Sequence, residues 1–346
     1  MHEPPCDLSY VVIGLNEGAK LTEAIGSVVA ADAGGRQTEV IYVDGGSRDG
    51  SLARATAAGA ARTLGGDLPR RAAENRNLGW RAARGLYVQF VDGDMTLDAA
   101  WPAAACAVLD ARPEVAAVWG RIEEIRQTPW YRAFALDWQF PEGPSRYCGG
   151  AALFRRAALE SAGGFPEDVA YGEEPLLCWR LRHGAPPQLI WHLHRAMVYH
   201  DLDFKGPRDW WRRNVRCGAT FAEIAARCRR GPERLWWREV ASNLLWGTVL
   251  AAAAGALALG GGALRLALFI TLLVLLARKT IQFARRGAGV GPALRYALHT
   301  YLSKFAIALG IVGWLAVHAG RLPPAERAPS PAADPSGAAT PPPPAR

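Results

Sequence analysis

An apolar run that ends abruptly in two carboxylates constrains the fold of this chain more than any other stretch. Residues 86–91 are mostly β-branched, aromatic or otherwise apolar, and Asp92-Gly93-Asp94 follows at once. This pattern predicts a buried strand with a turn at its carboxyl end. Two carboxylates so close together repel each other unless a positive group lies between them, and a divalent cation holding a diphosphate is one such group. A solvated Asp-Gly turn is the alternative.

The same order, a strand and then polar residues, occurs at two earlier places. The first strand pattern precedes Asn16 and Glu17, and the second precedes Asp44. The strand patterns cover residues 8–15 and 39–43, and helical patterns cover residues 19–31, 52–59 and 75–84. Strands alternating with helices predict an α/β fold with a mostly parallel, Rossmann-like sheet and flanking helices. Because ligands bind outside the carboxyl ends of strands in such sheets, we expect all three polar loops on one edge.

The segments that follow the third strand are a helix, a strand and an aromatic-rich stretch. The helix is predicted over residues 97–110 and the strand over 115–119. Residues 120–147 are expected to be irregular, either packed on the core or forming part of an acceptor site. After them, Gly149 and Gly150 allow a tight turn or a close backbone approach to a ligand.

The sequence Glu173-Glu174-Pro175 predicts the start of a helix. Pro175 fits the first helical position, which places Glu174 at or next to the N-cap. An acid there could compensate the helix dipole, or it could serve as a general base at the mouth of a cleft. Both interpretations stay open from these residues alone.

Three histidines occur in the next strand pattern. His192 and His194 share a strand face at a spacing that suits either a metal or hydrogen bonds within the protein. His200 stands at the end of the strand, beside Asp201, and is a candidate third metal ligand.

The C-terminal third alternates between basic and apolar segments. Residues 204–238 hold ten Lys or Arg and three acids, and residues 277–304 hold six and none, within a net charge of +8. Arginines among paired tryptophans over 204–239 predict interfacial helices. Residues 240–320 predict a membrane hairpin with Gly260-Gly261-Gly262 at its turn, plus a third apolar segment over 305–319 that either spans or lies in the interface. The proline-rich tail, 321–346, is predicted to be disordered.

Charge and composition also exclude several function classes. The basic segments flank apolar ones, so they indicate an anionic membrane surface and not nucleic acid. Six scattered cysteines without a Cys-x-x-Cys pair argue against a zinc site or a disulfide framework. The N-terminus lacks the pattern of a signal peptide. We therefore expect residues 1–203 to form a domain on the cytoplasmic face of the inner membrane, since the basic loop 278–295 should also face the cytoplasm.

Taken in order, five motifs resemble those of membrane-anchored bacterial family 2 glycosyltransferases, which have the GT-A fold. The motifs are Val12-Ile13-Gly14-Leu15-Asn16-Glu17, Val43-Asp44-Gly45-Gly46-Ser47-Arg48-Asp49-Gly50-Ser51, Arg76-Asn77-Leu78-Gly79, Phe90-Val91-Asp92-Gly93-Asp94 and Gly172-Glu173-Glu174. The resemblance covers residues 8–216. The Gln-x-x-Arg-Trp motif of processive synthases is not among them, which disfavours a chain-polymerising enzyme.

The resemblance implies roles for the matching residues. Asn16 and Glu17 lie where the family's first loop holds the nucleoside, and Asp44 matches the acid that hydrogen-bonds the base or ribose. Asp92 and Asp94 match the Asp-x-Asp pair that binds the nucleotide and Mg²⁺ or Mn²⁺. The pair Glu173-Glu174 matches the family's Glu-Asp, whose second member is the catalytic base, although the base here is Glu. Further residues implied are Arg76, Gly149, Gly150, Arg213 and Arg216 at the nucleotide sugar, and His200 at the metal.

The implied reaction is inverting transfer of a sugar from a nucleotide-diphosphate donor to an acceptor hydroxyl. The membrane segments suggest a lipid-linked or glycan acceptor in cell-envelope or exopolysaccharide synthesis. One rival is a metal-dependent nucleotidyltransferase, but that class needs a basic glycine-rich phosphate loop, and Asn16-Glu17-Gly18 is not one. The other is a membrane-anchored sugar-nucleotide-binding protein without turnover.

Overall fold

The computed structural model of the protein describes residues 6–66 and 68–326, and most of the predicted disordered tail lies outside that range. The strands are β1 (Leu8–Gly14), β2 (Thr38–Asp44), β3 (Arg62–Gly65), β4 (Tyr87–Asp92), β5 (Met95–Leu97), β6 (Val115–Glu124), β7 (Gly143–Ser145), β8 (Leu153–Arg155) and β9 (Leu189–His200). The helices are α1 (Ala19–Val29), α2 (Ser51–Ala57), α3 (Ala72–Ala82), α4 (Trp101–Ala111), α5 (Pro129–Phe134), α6 (Arg156–Ser161), α7 (Glu173–Arg182), α8 (Pro207–Arg227), α9 (Trp237–Leu259), α10 (Gly262–Phe283) and α11 (Val290–Val317).

One mixed sheet with flanking helices organises the first two hundred residues. Its strand order is β3-β2-β1-β4-β8-β6-β9-β5, and β7 pairs with the free edge of β9. The strands β3, β2, β1 and β4 run parallel, as the alternation of strands and helices predicts, whereas β8 is antiparallel to both of its neighbours. The predicted α/β fold with a Rossmann-like sheet is therefore confirmed.

Helices α1 and α3 pack against the sheet through residues whose spacing follows the helical period or that lack a side chain. The buried positions of α1 are Leu21, Ala24, Ile25 and Val28, which recur at the helical period and face the sheet. Helix α3 packs against the sheet at Gly79, where the lack of a side chain allows a close approach. A Cβ at this position would lie 2.2 Å from Val11 Cγ1. Two helices are thereby fixed against β1, and α3 carries polar residues to the edge where that strand ends.

The prediction for residues 120–147 is wrong. Strand β6 continues to Glu124, α5 and a 3₁₀ helix (Ala135–Trp138) follow, and β7 pairs with β9. The aromatic residues of this stretch pack on one another and on neighbouring helices, which stabilises regular structure. The start of α7 also differs from the prediction. The helix begins at Glu173 after Gly172, whose φ of 90° favours glycine, and Pro175 occupies the third helical position.

The C-terminal helices form a hairpin and a long helix that lies along the domain. Helices α9 and α10 are antiparallel and meet at residues 260–261, where the sequence predicted the turn. Helix α11 covers 28 residues, far more than the short segment expected there. By length and composition, α9 and α11 could each cross a membrane.

Helix α11 and the residues that follow it contact the N-terminal domain at two separate points. Near its start, His299 Nε2 lies 3.5 Å from Asp137 Oδ2. Beyond its end, Glu326 Oε2 lies 2.9 Å from Arg180 Nε of α7. Between these points α11 packs on α8 so closely that a Cβ at Gly310 would lie 1.9 Å from the carbonyl oxygen of Val215.

Candidate active site at the carboxyl edge of the sheet

The register of three parallel strands brings the predicted polar loops together. Ile13 of β1 pairs with Asp92 of β4, and Gly14 pairs with Asp44 of β2. Each strand ends at this row, so the residues after each strand project from the same edge. The expectation that these loops share one edge is confirmed.

A buried arginine stands at the centre of this edge. Arg76 is only 3% exposed, and α3 directs its guanidinium to the end of β4. Its Nη2 donates to Asp92 Oδ1 at 2.9 Å, and its Nη1 donates to Glu173 Oε1 at 2.8 Å and lies 3.2 Å from Glu174 Oε1. One cation therefore holds three carboxylates that come from two distant parts of the sequence. We call these four residues the arginine cluster.

The arginine cluster carries more negative than positive charge, and its proton affinities reflect this. Burial, and then the charge of Glu173, raise the pKa of Glu174 to about 8. Burial also raises the pKa of Asp92, although Arg76 opposes the shift. Burial disfavours the charge on Arg76, but Asp92 and the two glutamates together raise its pKa above the ordinary value. The cluster therefore tends to retain a proton on Glu174 while Arg76 stays charged.

The two predicted glycines take different positions. A Cβ at Gly150 would lie 2.4 Å from Arg76 Nη2, 3.1 Å from Glu174 Oε1 and 3.3 Å from Asp92 Oδ2. Gly150 therefore covers the arginine cluster, and a larger residue would displace it. A Cβ at Gly149 would instead meet Ile122 Cδ1 at 3.3 Å.

Asp94, His200 and Glu17 form a second group beside the cluster. His200 Nε2 lies 3.4 Å from Asp94 Oδ2, and Met95 pairs with His200 across β5 and β9. Burial alone would raise the pKa of Asp94, but the hydrogen bond and charge of His200 lower it overall. Burial, and then the charge of Asp94, raise the pKa of Glu17.

This second group fits part of a divalent-cation site. Asp94 supplies carboxylate oxygen and His200 an imidazole nitrogen, and both are ligands for Mn²⁺ or Mg²⁺. Within residues 6–66 and 68–326, no group of three or more His, Cys, Asp or Glu is arranged to hold a metal by itself. The residues therefore fit a cation whose remaining ligands come from a bound diphosphate or water, and not a site completed by the protein alone.

Asn16 and Asp44 hold the first two loops in place. Asn16 Oδ1 accepts from the Arg48 backbone N–H at 2.8 Å, and Ser47 Oγ accepts from the Asn16 N–H at 2.8 Å. Asp44 is 1% exposed, and its oxygens accept from Tyr42 Oη, Gly46 N and Ser47 N. In this structure, Asp44 shapes the loop from inside, and its predicted contact with a base or ribose stays a prediction.

Arg213 and Arg216 lie apart from the arginine cluster, on α8. Arg213 stacks over the Phe204 ring and Arg216 over the Tyr171 ring, at 5.7 and 5.6 Å from the ring centroids. Neither forms an ion pair with a carboxylate in the part of the chain that the structure describes. Their predicted role at the donor diphosphate stays a prediction.

The sequence of the sheet domain matches a known protein family. Residues 9–163 match the sequence model of the family described as "Glycosyl transferase family 2". These residues form a family 2 glycosyltransferase domain. The glycosyltransferase domain includes β1 to β8, and the match ends before α7, which carries Glu174.

Named relatives of this glycosyltransferase domain are distant. "Pre-mycofactocin glycosyltransferase" of Mycobacterium tuberculosis, in strains CDC 1551 and H37Rv, is 30% identical over a match that covers 44% of this chain. The chain spans about a third of the length of these curated relatives, since the match covers 34% of them. A solved structure with a similar fold is "Mannosyltransferase PcManGT from Pyrobaculum calidifontis in complex with GDP-Man and Mn2+". Its TM-score is 0.61 at 21% identity, over 86% of this chain and 88% of that one.

Sequence reasoning missed one acid at the edge of the glycosyltransferase domain. Glu124 is buried at the end of β6, where it pairs in register with His200. Its carboxylate accepts from the backbone N–H groups of Arg126 and Leu202, and burial raises its pKa. It thereby fixes the segment that follows His200. The signal that could have found it was an acid at the end of the apolar run 115–122.

Proposed function

We propose that the protein is a glycosyltransferase that moves a sugar from a nucleoside-diphosphate donor to an acceptor hydroxyl with inversion. The observation that carries the proposal is the arginine cluster, which holds a buried carboxylate of raised proton affinity beside the Asp92-Gly93-Asp94 turn. The family match and the GT-A-like sheet support it. The neighbour solved with GDP-Man and Mn²⁺ supports a nucleotide-sugar donor.

In the proposed reaction, the acceptor oxygen attacks the anomeric carbon, and the bond from that carbon to the diphosphate oxygen breaks. The electron pair of the broken bond leaves with the nucleoside diphosphate. The hydroxyl proton passes to Glu174, whose raised pKa suits a general base. Arg76 orients Glu174 and Asp92, and Glu173 shares that cation. A single displacement of this kind inverts the anomeric configuration.

Asp94 and His200 are the residues that would hold a divalent cation. When bound, Mg²⁺ or Mn²⁺ offsets negative charge that develops on the leaving diphosphate. Glu17 stands next to Asp94, and burial together with the charge of Asp94 raises the pKa of Glu17. Asn16 and Asp44 shape the two loops that would receive the nucleoside.

We further propose that the acceptor is lipid-linked and that the enzyme works at the cytoplasmic face of a membrane. The support is that α9 is long and apolar enough to enter a bilayer and that Leu259, at its far end, is 90% exposed. Helix α11, which is anchored near both ends on the catalytic domain, would lie along the membrane surface. In the proposed arrangement, the sheet edge would lie next to lipid.

The test is release of nucleoside diphosphate from a panel of nucleotide sugars, beginning with GDP-mannose, in the presence of Mn²⁺ or Mg²⁺ and a membrane lipid extract. We expect one donor to be consumed and Asp94→Asn to abolish most of the release. No release from any donor would contradict the proposed transfer reaction. Equal release by Asp94→Asn would remove that residue from the mechanism.

A further inference from the structure

An apolar cavity of about 380 Å³ lies where the catalytic domain meets the C-terminal helices. Its volume is within the range of small-molecule sites. The walls come from α5, from the start of α8 and from α11, and they consist mainly of aromatic rings. The lining residues are Trp130, Tyr131, Phe134, Phe204, Gly206, Pro207, Trp210, His299 and Leu302. We call this space the aromatic cavity.

The few polar atoms in its wall are already used. Trp210 Nε1 donates to His299 Nδ1 at 2.9 Å, and His299 Nε2 faces Asp137 Oδ2 at 3.5 Å. Tyr131 Oη accepts from the backbone N–H of Phe204 at 2.8 Å. With these partners in place, the aromatic cavity offers an occupant apolar surface, so burial of hydrocarbon is the interaction that it favours.

A second, basic opening adjoins the aromatic cavity, and Phe204 lines both. Arg212, Arg213 and Arg216 line the basic opening, together with Asp203 and Asp209. Both acids are engaged elsewhere, Asp203 with Arg126 and Asp209 with the backbone N–H of Lys205. The three arginines form no ion pair with a carboxylate within residues 6–66 and 68–326. Unpaired arginines beside an apolar cavity match a molecule that has an anionic end and a hydrocarbon end.

The chain links this pair of openings to the candidate active site. His200 faces Asp94, and Phe204 follows four residues later. Tyr131, on α5, fixes the backbone of Phe204, and Glu124 fixes that of Leu202. A molecule seated in both openings would therefore place its anionic end next to the segment that begins at the sheet edge.

We propose that the aromatic cavity holds the hydrocarbon chain of the acceptor and that Arg213 and Arg216 hold the acceptor's phosphate. This inference rests on the proposed transferase function and specifies the acceptor as a long-chain lipid phosphate. It also assigns Arg213 and Arg216 to the acceptor, whereas the family resemblance implied that they contact the donor diphosphate. The exposed position of Leu302 on α11 gives the chain a route from the bilayer surface.

The experiment uses the full chain in detergent micelles, with a photoreactive sixteen-carbon alkyl phosphate as the probe and no sugar donor present. Crosslinked residues are located by mass spectrometry. We expect labels on residues of the aromatic cavity. We expect Leu302→Trp, which fills the cavity from an exposed position, to reduce labelling by about tenfold. The matched control is Leu309→Trp, on the same helix and similarly exposed, at 57% against 51%.

A neutral alcohol probe of equal chain length separates the two openings. The double variant Arg213→Gln/Arg216→Gln should weaken labelling by the phosphate probe and leave labelling by the alcohol unchanged, whereas Leu302→Trp should weaken both. Labels outside the aromatic cavity, or equal labelling of Leu302→Trp and Leu309→Trp, would overturn the proposal. Displacement of the probe by an equal amount of phosphatidylglycerol would also overturn it, since the cavity would then belong to bulk lipid. Because no donor is present, these outcomes do not depend on the assay for nucleoside-diphosphate release.

Discussion

The arginines of the arginine cluster and of the basic opening differ in whether a carboxylate of the protein pairs with them. In the cluster, Asp92, Glu173 and Glu174 engage the two terminal nitrogens of one buried guanidinium. On α8, Arg213 and Arg216 have aromatic rings beneath them and no carboxylate within ion-pair distance in the described chain. A cation paired in this way fixes the position of its carboxylates before any ligand binds. An unpaired cation over an aromatic ring is free to bind an anionic ligand. The first arrangement suits a site that must hold reacting groups in place, and the second suits a site that binds an anionic ligand.

The largest effect is predicted for a substitution at Glu174, the proposed acceptor of the hydroxyl proton. Glu174→Gln keeps the size and hydrogen-bonding reach of the side chain but cannot accept a proton. We expect kcat to fall by about a thousandfold, within the range typical of a lost general base. The donor KM should change little. Steady-state release of nucleoside diphosphate measures both, with Glu160→Gln, an exposed surface change, as the control. A kcat within threefold of wild type would assign the base to another residue.

Removal of the shared cation should affect stability more than removal of any exposed one. Arg76→Met leaves three carboxylates without a partner in a buried place, and we expect a loss of about 3–5 kcal/mol in the free energy of unfolding. The control is Arg121→Met, which removes an exposed ion pair with Glu123 and should change stability by less than about 1 kcal/mol. Denaturant unfolding of both variants decides the comparison. Equal losses of stability in the two variants would show that Arg76 stabilises the fold no more than Arg121 does.

Asp94 tests whether the group beside the cluster serves a cation. We expect Asp94→Asn to reduce kcat/KM by about a hundredfold and to raise the Mn²⁺ concentration needed for half-maximal rate. His200→Ala should shift the same metal dependence by a smaller factor. A metal titration of rate for each variant provides the measurement. If Asp94→Asn lowers the rate but leaves the metal dependence unchanged, the residue acts on the substrate and not on the cation.

The raised pKa of Glu174 gives the pH dependence a definite sign. A general base must be unprotonated, so kcat/KM should rise about tenfold per pH unit below a pKa of about 8 and level off above it. Stability should move in the opposite direction. Between the ordinary glutamate pKa and about 8, the folded state binds a proton that the unfolded state has released, so stability falls as pH rises. Glu174→Gln should reduce this fall, leaving the part that comes from the raised pKa values of Asp92, Glu17 and Glu124, and pH-dependent unfolding of both proteins tests it.

The smallest predicted effect concerns the segment that follows α11. Glu326→Gln removes the charge that faces Arg180 and Arg227, but Arg227 keeps Asp168 and Glu223 as partners. We expect a stability loss of about 1 kcal/mol. The rate should change by less than twofold, because α7 retains its packing. A large loss of rate with unchanged stability would instead indicate that this contact positions Glu174.

The sequence predicted the carboxyl edge of the sheet far better than the region around the aromatic cavity. The motifs at Asn16, Asp44 and Asp92 follow strands whose apolar patterns are unambiguous, so their common edge could be deduced. Arg76 was named as a donor contact, yet its role as the shared partner of three carboxylates depends on the distance between α3 and α7 in space. No local pattern encodes that distance.

The region around the aromatic cavity was harder to predict because its structure arises from tertiary contacts. Residues 120–147 carry many aromatics, which indicate packing but not the partner, and the partner is a helix more than a hundred residues later. Strands β3, β5 and β8 have only three or four residues each and show no period. Helix α11 was predicted as a short segment because polar residues such as His299 and Lys304 interrupt its apolar run. Those residues bind Asp137 and Asn243 in the folded chain.

The close contact between α8 and α11 also bears on the shape of the aromatic cavity. A Cβ at Gly218 would lie 2.0 Å from the carbonyl oxygen of Ile307, and Gly310 makes the reciprocal approach to Val215. The cavity lies between the same two helices, two to three turns toward their N-terminal ends. Any side chain at either glycine would spread the helices and widen the cavity. The absence of a side chain at Gly218 and Gly310 therefore sets the width of the cavity and the thickness of the molecule that it can admit. Selection for a bulkier or slimmer lipid could act at these two positions, although neither lines the cavity.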